Sequence, residues 1–351
     1  MTAQDRIRDR SDGAAETRGA AVEDRASTGR RAAVIYNPIK VELDELRAAV
    51  VRAATTAGWA ESLWIATTEE DPGQGAAHEA LEAGVDMVVA AGGDGTIRAV
   101  AEVLGGTGIP LALLPAGTGN LLARNLKLTL NDVDHAVDTA FAGTDRDIDL
   151  ARITIRQPGG ATIVRAFLVM AGVGLDAQML ASTDDELKAK VGWLAYAGAL
   201  VKTLRDSNRI NMYYRVDGGR PRRVFAHTAI VGNCGTLAAN VLLLPEAVVD
   251  DGILDAVFIK PSSLRGWLQV FRKVFWHNGV VRRLTPGRRT GPEVDAVNYV
   301  RAGDLEVTLA GPEEIELDGD PMGDAVGFRV EVEHGGLRIR VPADAARDEQ
   351  E

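Results

Sequence analysis

Two hydrophobic rhythms divide this chain. In the first half, short uniformly apolar runs alternate with stretches whose apolar positions recur at helical spacing. Ala33-Val34-Ile35-Tyr36 is the first run, and Leu43, Leu46, Val50 and Val51 follow at helical spacing. Ser62-Leu63-Trp64-Ile65-Ala66 is the second run, and a helix is predicted around Gly75–Glu82. Met87-Val88-Val89-Ala90-Ala91 is the third, followed by Ala99, Val100, Val103 and Leu104 at helical spacing. Ile109-Pro110-Leu111-Ala112-Leu113 is the fourth. Apolar runs joined by amphipathic helices predict parallel strands with helices packed on them.

After Asp149 the rhythm changes to alternation. Strands are predicted at Arg152–Ile155, Ile163–Val169, Arg209–Val216, Val224–Val231 and Leu254–Ile259. Others are predicted at Leu305–Leu309, Ile315–Leu317, Phe328–Val332 and Leu337–Val341, with helices near Asp185–Leu204 and Ser263–Trp276. Many strands separated by turn signals predict an antiparallel sandwich. The expected fold class is therefore α/β plus mainly β, with a cleft between an N-terminal parallel-sheet domain (31–149) and a C-terminal β-sandwich domain (150–325). Residues 1–30 and 344–351 are polar and carry few aliphatics, so disordered tails are expected there.

The candidate chemistry lies at the ends of the third and fourth runs. Gly92-Gly93-Asp94-Gly95-Thr96 follows one and Pro115-Ala116-Gly117-Thr118-Gly119-Asn120 the other. Each reads as a strand that ends in a turn and opens a helix. Glycines there let backbone N–H groups approach an anion, and a helix N-terminus adds partial positive charge. In open parallel sheets ligands sit at the carboxyl ends of the strands, where both turns fall. The chain contains no Gly-Lys pair, so neither turn is a Walker-type loop. A carboxylate at Asp94 inside an anion cradle suggests an intervening cation, with helix capping as the alternative. Thr96 is placed to cap the helix or bond a phosphate.

Composition narrows the class. A net charge of −11 argues against a nucleic-acid partner. The single cysteine, Cys234, excludes an internal disulfide and a cysteine-based zinc site, and fits a reducing compartment. The histidines show no ligand spacing and no Gly-x-Ser-x-Gly elbow occurs. No apolar run reaches membrane-spanning length and no secretory signal is visible. Ala256–Pro292 contains no acid, yet carries Lys260, Arg265, Arg272 and Lys273 among Trp267, Phe271 and Phe275. That helix is either core-packed with a solvated basic face or an interfacial membrane element.

The two glycine turns, with Ala171-Gly172-Val173-Gly174-Leu175-Asp176-Ala177, Pro245–Asp255 and Asp318-Gly319-Asp320, resemble the bacterial diacylglycerol/lipid kinase catalytic domain and its sphingosine-kinase relatives. The resemblance runs roughly over residues 32–341. It implies an NAD kinase/phosphofructokinase-like first domain, a β-sandwich second domain and a last segment (326–343) that returns to the first. It implies ATP and Mg²⁺ as cofactors, a lipid substrate taken from a membrane surface, phospholipid biosynthesis, and a cytoplasmic, peripherally membrane-associated protein. An open sheet edge could also pair two copies of the chain.

The resemblance carries nucleotide contacts onto Asn37, Thr67, Gly92, Gly93, Asp94, Gly95, Thr96, Gly117, Thr118 and Asn120. By residue type alone Asn37-Pro38 is equally a strand-ending turn. It implies a structural Mg²⁺ on Asp251 and the carbonyls of Val248 and Ile253, where an ordinary Asp-Gly turn is the alternative. Asp318 is the expected general base for the attacking hydroxyl. Two positions depart from the family pattern: Leu121 stands where an Asp is frequent, and Asp320 stands where the family has Glu. Gly172-x-Gly174-x-x-Ala177 also matches a dinucleotide fingerprint, but the resemblance reads it as a cleft-lining turn. The expected activity is phosphorylation of a lipid hydroxyl, most simply diacylglycerol to phosphatidic acid. Alternatives are a kinase of a sphingoid base or soluble alcohol, and a nucleotide-binding regulator without turnover.

Overall fold

The computed structural model describes residues 29–174, 209–236, 242–261, 266, 270 and 296–343. Four parallel strands form its first part: β1 (Ala32–Tyr36), β2 (Leu63–Ala66), β3 (Met87–Gly92) and β4 (Leu111–Pro115), in spatial order β4-β3-β1-β2. Their side chains alternate between two cores, as the pleat requires. Ala33, Ile35, Val88, Ala90, Leu111 and Leu113 pack with helices α2 (Gln74–Glu82) and α3 (Asp94–Leu104). Ala32, Val34, Met87, Val89, Ala112 and Leu114 pack with α1 (Leu43–Thr56) and α5 (Val133–Ala142) on the other face. Burial on both faces is why these strands read as continuous apolar runs. A short helix, α4 (Leu121–Asn125), follows the second glycine turn.

The second part is antiparallel: β5 (Thr144–Arg156), β6 (Thr162–Phe167), β7 (Met170–Val173), β8 (Ile210–Val216), β9 (Arg222–Ala226), β10 (Thr228–Gly232), β11 (Leu254–Ile259), β12 (Val297–Ala302), β13 (Asp304–Leu317) and β14 (Asp320–Val341). Its core holds Phe167, Met212, Phe258, Leu305, Leu317 and Phe328. The fold is thus a mixed sheet, parallel at its N-terminal part and an antiparallel β-sandwich at its C-terminal part.

β14 belongs to both parts. It pairs β13 and β5 within the sandwich and reaches β4 in the parallel direction at Ile339↔Leu111. β5 runs beside it from Thr144 to Arg156. Positions 149/150 and 325/326 therefore fall inside strands, and two long paired strands join the parts. A bulge in β14 between Glu333 and Leu337 lies at this crossing. There the fully buried Asp149 accepts from the Gly335 and Gly252 amides at 2.8 and 2.6 Å and meets His334 Nδ1 at 2.8 Å.

Several predicted elements take a different form. Leu305–Leu309 and Ile315–Leu317 merge into β13, with a register shift around Gly311-Pro312. Val224–Val231 divides at His227, because β9 pairs β8 whereas β10 pairs β7 and β11. Gly172 lies within β7, opposite Glu316 and Ile230, and not in a cleft-lining turn. The periodicity missed α5 and β12. The helix predicted near Asp185–Leu204, Asp176 and Ala177, residues 1–28 and the tail 344–351 lie outside the described residues. Of the helix predicted at Ser263–Trp276, only Gly266 and Val270 are described, both helical.

Candidate active site

The carboxyl ends of β2, β1, β3 and β4 form one edge. Thr67 N–H donates to the Tyr36 carbonyl, Asn37 N–H to Ala91 and Ala116 N–H to Gly92, each at 2.9 Å. Sheet pairing thus carries past the strand ends and brings Thr67, Asn37 and both glycine turns together. The Asn37 side chain accepts from the Ile39 N–H at 3.0 Å, closing the Asn-Pro turn. Thr67 and Thr96 are buried, whereas Thr118 is exposed at the turn surface.

The two turns touch through their glycines. A Cβ at Gly117 would lie 2.8 Å from the Gly93 Cα, a backbone atom that cannot swing away. Asp94 ties the turns together: its carboxylate accepts from the Leu121 N–H at 2.6 Å. Burial raises its pKa, while the Leu121 and Asn120 amides oppose that rise. Leu121, the departure from the family pattern, meets Asp94 only through its main-chain N–H, a contact that any non-proline residue there would make. Asn120, at φ 48°, accepts from the Gly117 N–H at 3.0 Å and donates to the Gly117 carbonyl at 2.8 Å. Arg124 Nε braces the same turn through the Gly119 carbonyl at 2.7 Å. Gly117→Ala is expected to fold and to weaken nucleotide binding at least about tenfold, because the added methyl forces the turns apart. Calorimetric titration with ATP checks this.

Asp318 does not open onto the cleft, which corrects the expectation for it. At φ 51° its side chain turns inward and is 7% exposed. Oδ2 accepts from Leu168 N–H at 2.9 Å, and Oδ1 from Val169 and Met170 N–H at 2.8 and 2.9 Å. Burial pushes its pKa up to about 6, against those three amides and the charge of Arg98. With both oxygens engaged inside the protein, it holds the segment between β6 and β7.

Asp320, two residues on, is the acid at the glycine turn. A Cβ at Gly95 would come within 2.9 Å of its Oδ2, so the carboxylate lies against the N-terminal turn of α3. Its side chain remains 44% exposed. Arg98 Nη2 donates to Asp320 Oδ2 at 2.8 Å from a side chain only 7% exposed, and Arg98 Nε is buried without a hydrogen-bond partner. Arg98 was not singled out in the sequence. The available signal was its i+4 spacing from Asp94, which puts both on one helix face.

The Asp250-Asp251-Gly252 loop stands apart from this edge, anchored at the crossing strands. Asp250 pairs with Arg146 at 2.7 Å and Gly252 N–H donates to Asp149. Asp251 accepts from Ile253 N–H at 3.1 Å and pairs with Arg301 at 2.5 Å. Asp255 Oδ2 and Glu246 Oε1 are buried nearby with no hydrogen-bond partner. Burial and the charges of Asp251 and Glu246 push Asp255 up to about 6, against the charge of Arg301. Arg301 Nε stands 3.6 Å from Asp255 Oδ2 and offsets its charge, which leaves Glu246 Oε1 as the buried carboxylate oxygen that a divalent cation would relieve. Among the described residues no three His, Cys, Asp or Glu side chains converge on one point, so a cation here would rest on Asp251 and main-chain carbonyls such as those of Val248 and Ile253.

Comparison with known proteins decides the family. Residues 31–153 match the diacylglycerol kinase catalytic domain, and residues 169–341 match the YegS C-terminal NAD kinase beta sandwich-like domain. A probable lipid kinase YegS-like protein of Pseudomonas fluorescens is 31% identical over 90% of this chain and 97% of its own length. The chain belongs to the diacylglycerol kinase catalytic-domain family. A diacylglycerol kinase of Mycobacterium tuberculosis is 28% identical over 69% of this chain and 72% of its own. In fold, the chain superposes on a diacylglycerol kinase structure from Bacillus anthracis with a TM-score of 0.62 at 17% identity, covering 91% of this chain and 99% of that one. Membership makes it a lipid kinase-type phosphotransferase by kinship. Among the described residues no helix is long and apolar enough to cross a membrane.

Proposed function

We propose that this member of the family transfers the γ-phosphate of ATP to a membrane lipid hydroxyl, with diacylglycerol as the first candidate and phosphatidic acid as its product. The observation that carries the reading is the approach of Asp320, from the sandwich, to the glycine turns of the parallel sheet. An anion cradle and a proton acceptor face each other across the junction of the two parts, and phosphoryl transfer needs both.

Backbone amides of the two glycine turns that are not already engaged hold the nucleotide phosphates, with Asn37 and Thr67 along the same edge. Asp94 fixes the second turn relative to the first. Asp320 accepts the proton of the attacking hydroxyl as its oxygen bonds to the γ-phosphorus and ADP leaves. Arg98 keeps that carboxylate at the turn. Bound Mg²⁺ would supply charge neutralisation of the phosphates, and the Asp251 loop would hold a second ion structurally. If so, Mg²⁺ raises the melting temperature of the nucleotide-free protein, and Asp251→Ala abolishes the rise. Differential scanning calorimetry with and without chelator checks this.

The test of the function is transfer of label from γ-labelled ATP to diacylglycerol, monoacylglycerol, sphingosine and ceramide in mixed micelles. Label in one lipid assigns the substrate. ATP binding without label in any of them turns the reading toward a soluble alcohol or a nucleotide-binding regulator.

A further inference from the structure

The β8–β9 hairpin carries a surface that phosphoryl transfer does not use. Between Arg209 and Ala226 the chain holds five arginines (Arg209, Arg215, Arg220, Arg222 and Arg223) against one acid, Asp217, in a protein of net charge −11. All five are exposed. Asp217 is committed to the Gly303 and Asp304 amides, at 3.0 and 2.9 Å. Arg215 pairs with Glu306, but Arg220 and Arg222 make no ion pair among the described residues.

The register sets Asn211 opposite Phe225 and Tyr213 opposite Arg223. Tyr213, Arg223 and Phe225 therefore share one face, and both rings are 44% exposed. The Arg223 guanidinium lies 4.4 Å from the Phe225 ring centre and 5.8 Å from that of Tyr213. The opposite face puts Ile210, Met212, Tyr214, Val224 and Ala226 into the sandwich core. Core packing thus accounts for one face of the hairpin and leaves the aromatic, cationic face unexplained. Edge-strand protection explains arginines on β9, since charge discourages edge pairing, but it does not explain two exposed rings.

The hairpin also meets the acid-free stretch found in the sequence. Arg209 Nη2 donates to the carbonyls of Lys260 and Pro261, each at 3.1 Å. The hairpin base therefore adjoins the point where Ala256–Pro292, rich in Arg, Lys, Trp and Phe, leaves β11.

We propose that the β8–β9 hairpin is a membrane-docking surface that sets its arginines on the phosphates of an anionic bilayer and its two rings among the head groups. Arginines near an anionic leaflet gain favourable energy, and amphipathic rings favour the head-group level. Charge complementarity selects the partner: a basic patch on an acidic protein is attracted to an anionic surface while the rest of the molecule is repelled. The proposal draws on the proposed function only in that a lipid acceptor has to be reached at a bilayer.

Vesicle flotation tests it, using phosphatidylcholine alone and phosphatidylcholine mixed with phosphatidylglycerol. The wild-type protein is expected to bind the anionic vesicles and not the neutral ones. Arg220→Glu with Arg223→Glu should lower that binding about tenfold or more, and Tyr213→Ser with Phe225→Ser should lower it at unchanged salt dependence. ATP binding and melting temperature report that each variant folds, and Arg220→Gln with Arg223→Gln serves if the reversals do not. Equal binding to both vesicle types, no binding, or binding untouched by either folded double variant overturns the proposal. Phosphorylation in neutral micelles separates the two readings. If the wild type labels no lipid there yet floats with anionic vesicles through the hairpin, the docking surface stands and the lipid-kinase reading falls.

Discussion

Asp320→Asn gives a protein that folds and binds ATP normally but transfers phosphate on the order of 10²–10⁴ times more slowly. The reason is positional. Asp320 is the carboxylate that lies against Gly95, and its side chain is exposed enough to touch a substrate. Asparagine is nearly isosteric and keeps an oxygen for Arg98, so the fold loses little, but it cannot take a proton. Asp320→Glu restores the acid and should recover most of the rate, since glutamate is what the family pattern carries at this position. Single-turnover transfer to the lipid identified in the micelle assay, beside calorimetric ATP binding, reads both effects. Full activity in Asp320→Asn would remove Asp320 from the chemistry. A joint loss of binding and rate would make it a structural residue.

Asp318→Ala acts on stability. Three main-chain amides, Leu168, Val169 and Met170, lose their acceptor in a buried place. Each unsatisfied amide costs about 1–3 kcal/mol, and alanine at φ 51° adds about 1–2 kcal/mol of backbone strain. Partial rescue by entering water leaves an expected loss of roughly 3–6 kcal/mol, read from chemical denaturation. The pH dependence carries a sign. Asp318 titrates near 3.8 when exposed and at about 6 in the folded protein, so the folded state binds the proton more tightly. Its contribution is fully present below the lower value and is lost as pH rises through about 6. Asp318→Asn should flatten that part of the stability–pH curve. An unchanged curve would mean that Asp318 is not the group titrating there.

The contrast between these two aspartates marks where sequence reading stops. Asp318-Gly319-Asp320 presents two acids around one glycine, and periodicity does not say which points outward. Backbone conformation decides. Asp318 takes the left-handed region, which swings its carboxylate onto the β6–β7 connection 148 to 150 residues away in sequence. Asp320 starts β14, opposite Leu317, and faces the other part of the molecule. Arg98 was missed for the same reason, because its partner lies 222 residues away. The dinucleotide-like spacing of Gly172 and Gly174 has a different origin: Gly172 lies inside β7 between β10 and β13, and Gly174 follows the strand at φ 73°, where a Cβ would strike the His227 carbonyl.

What the sequence by itself determined is local. The parallel strands are legible because burial on both faces makes them apolar throughout. The glycine turns are legible because close contacts between backbones exclude a Cβ, as at Gly117 against the Gly93 backbone. Five motif blocks in order were enough to indicate the family. What only the tertiary structure decided is non-local: which acid meets the phosphate turn, which arginine holds it, and that β5 and β14 run through both parts. Each depends on pairing between segments far apart in the chain. The register and turns that set such pairing are written in no single segment's hydrophobic pattern.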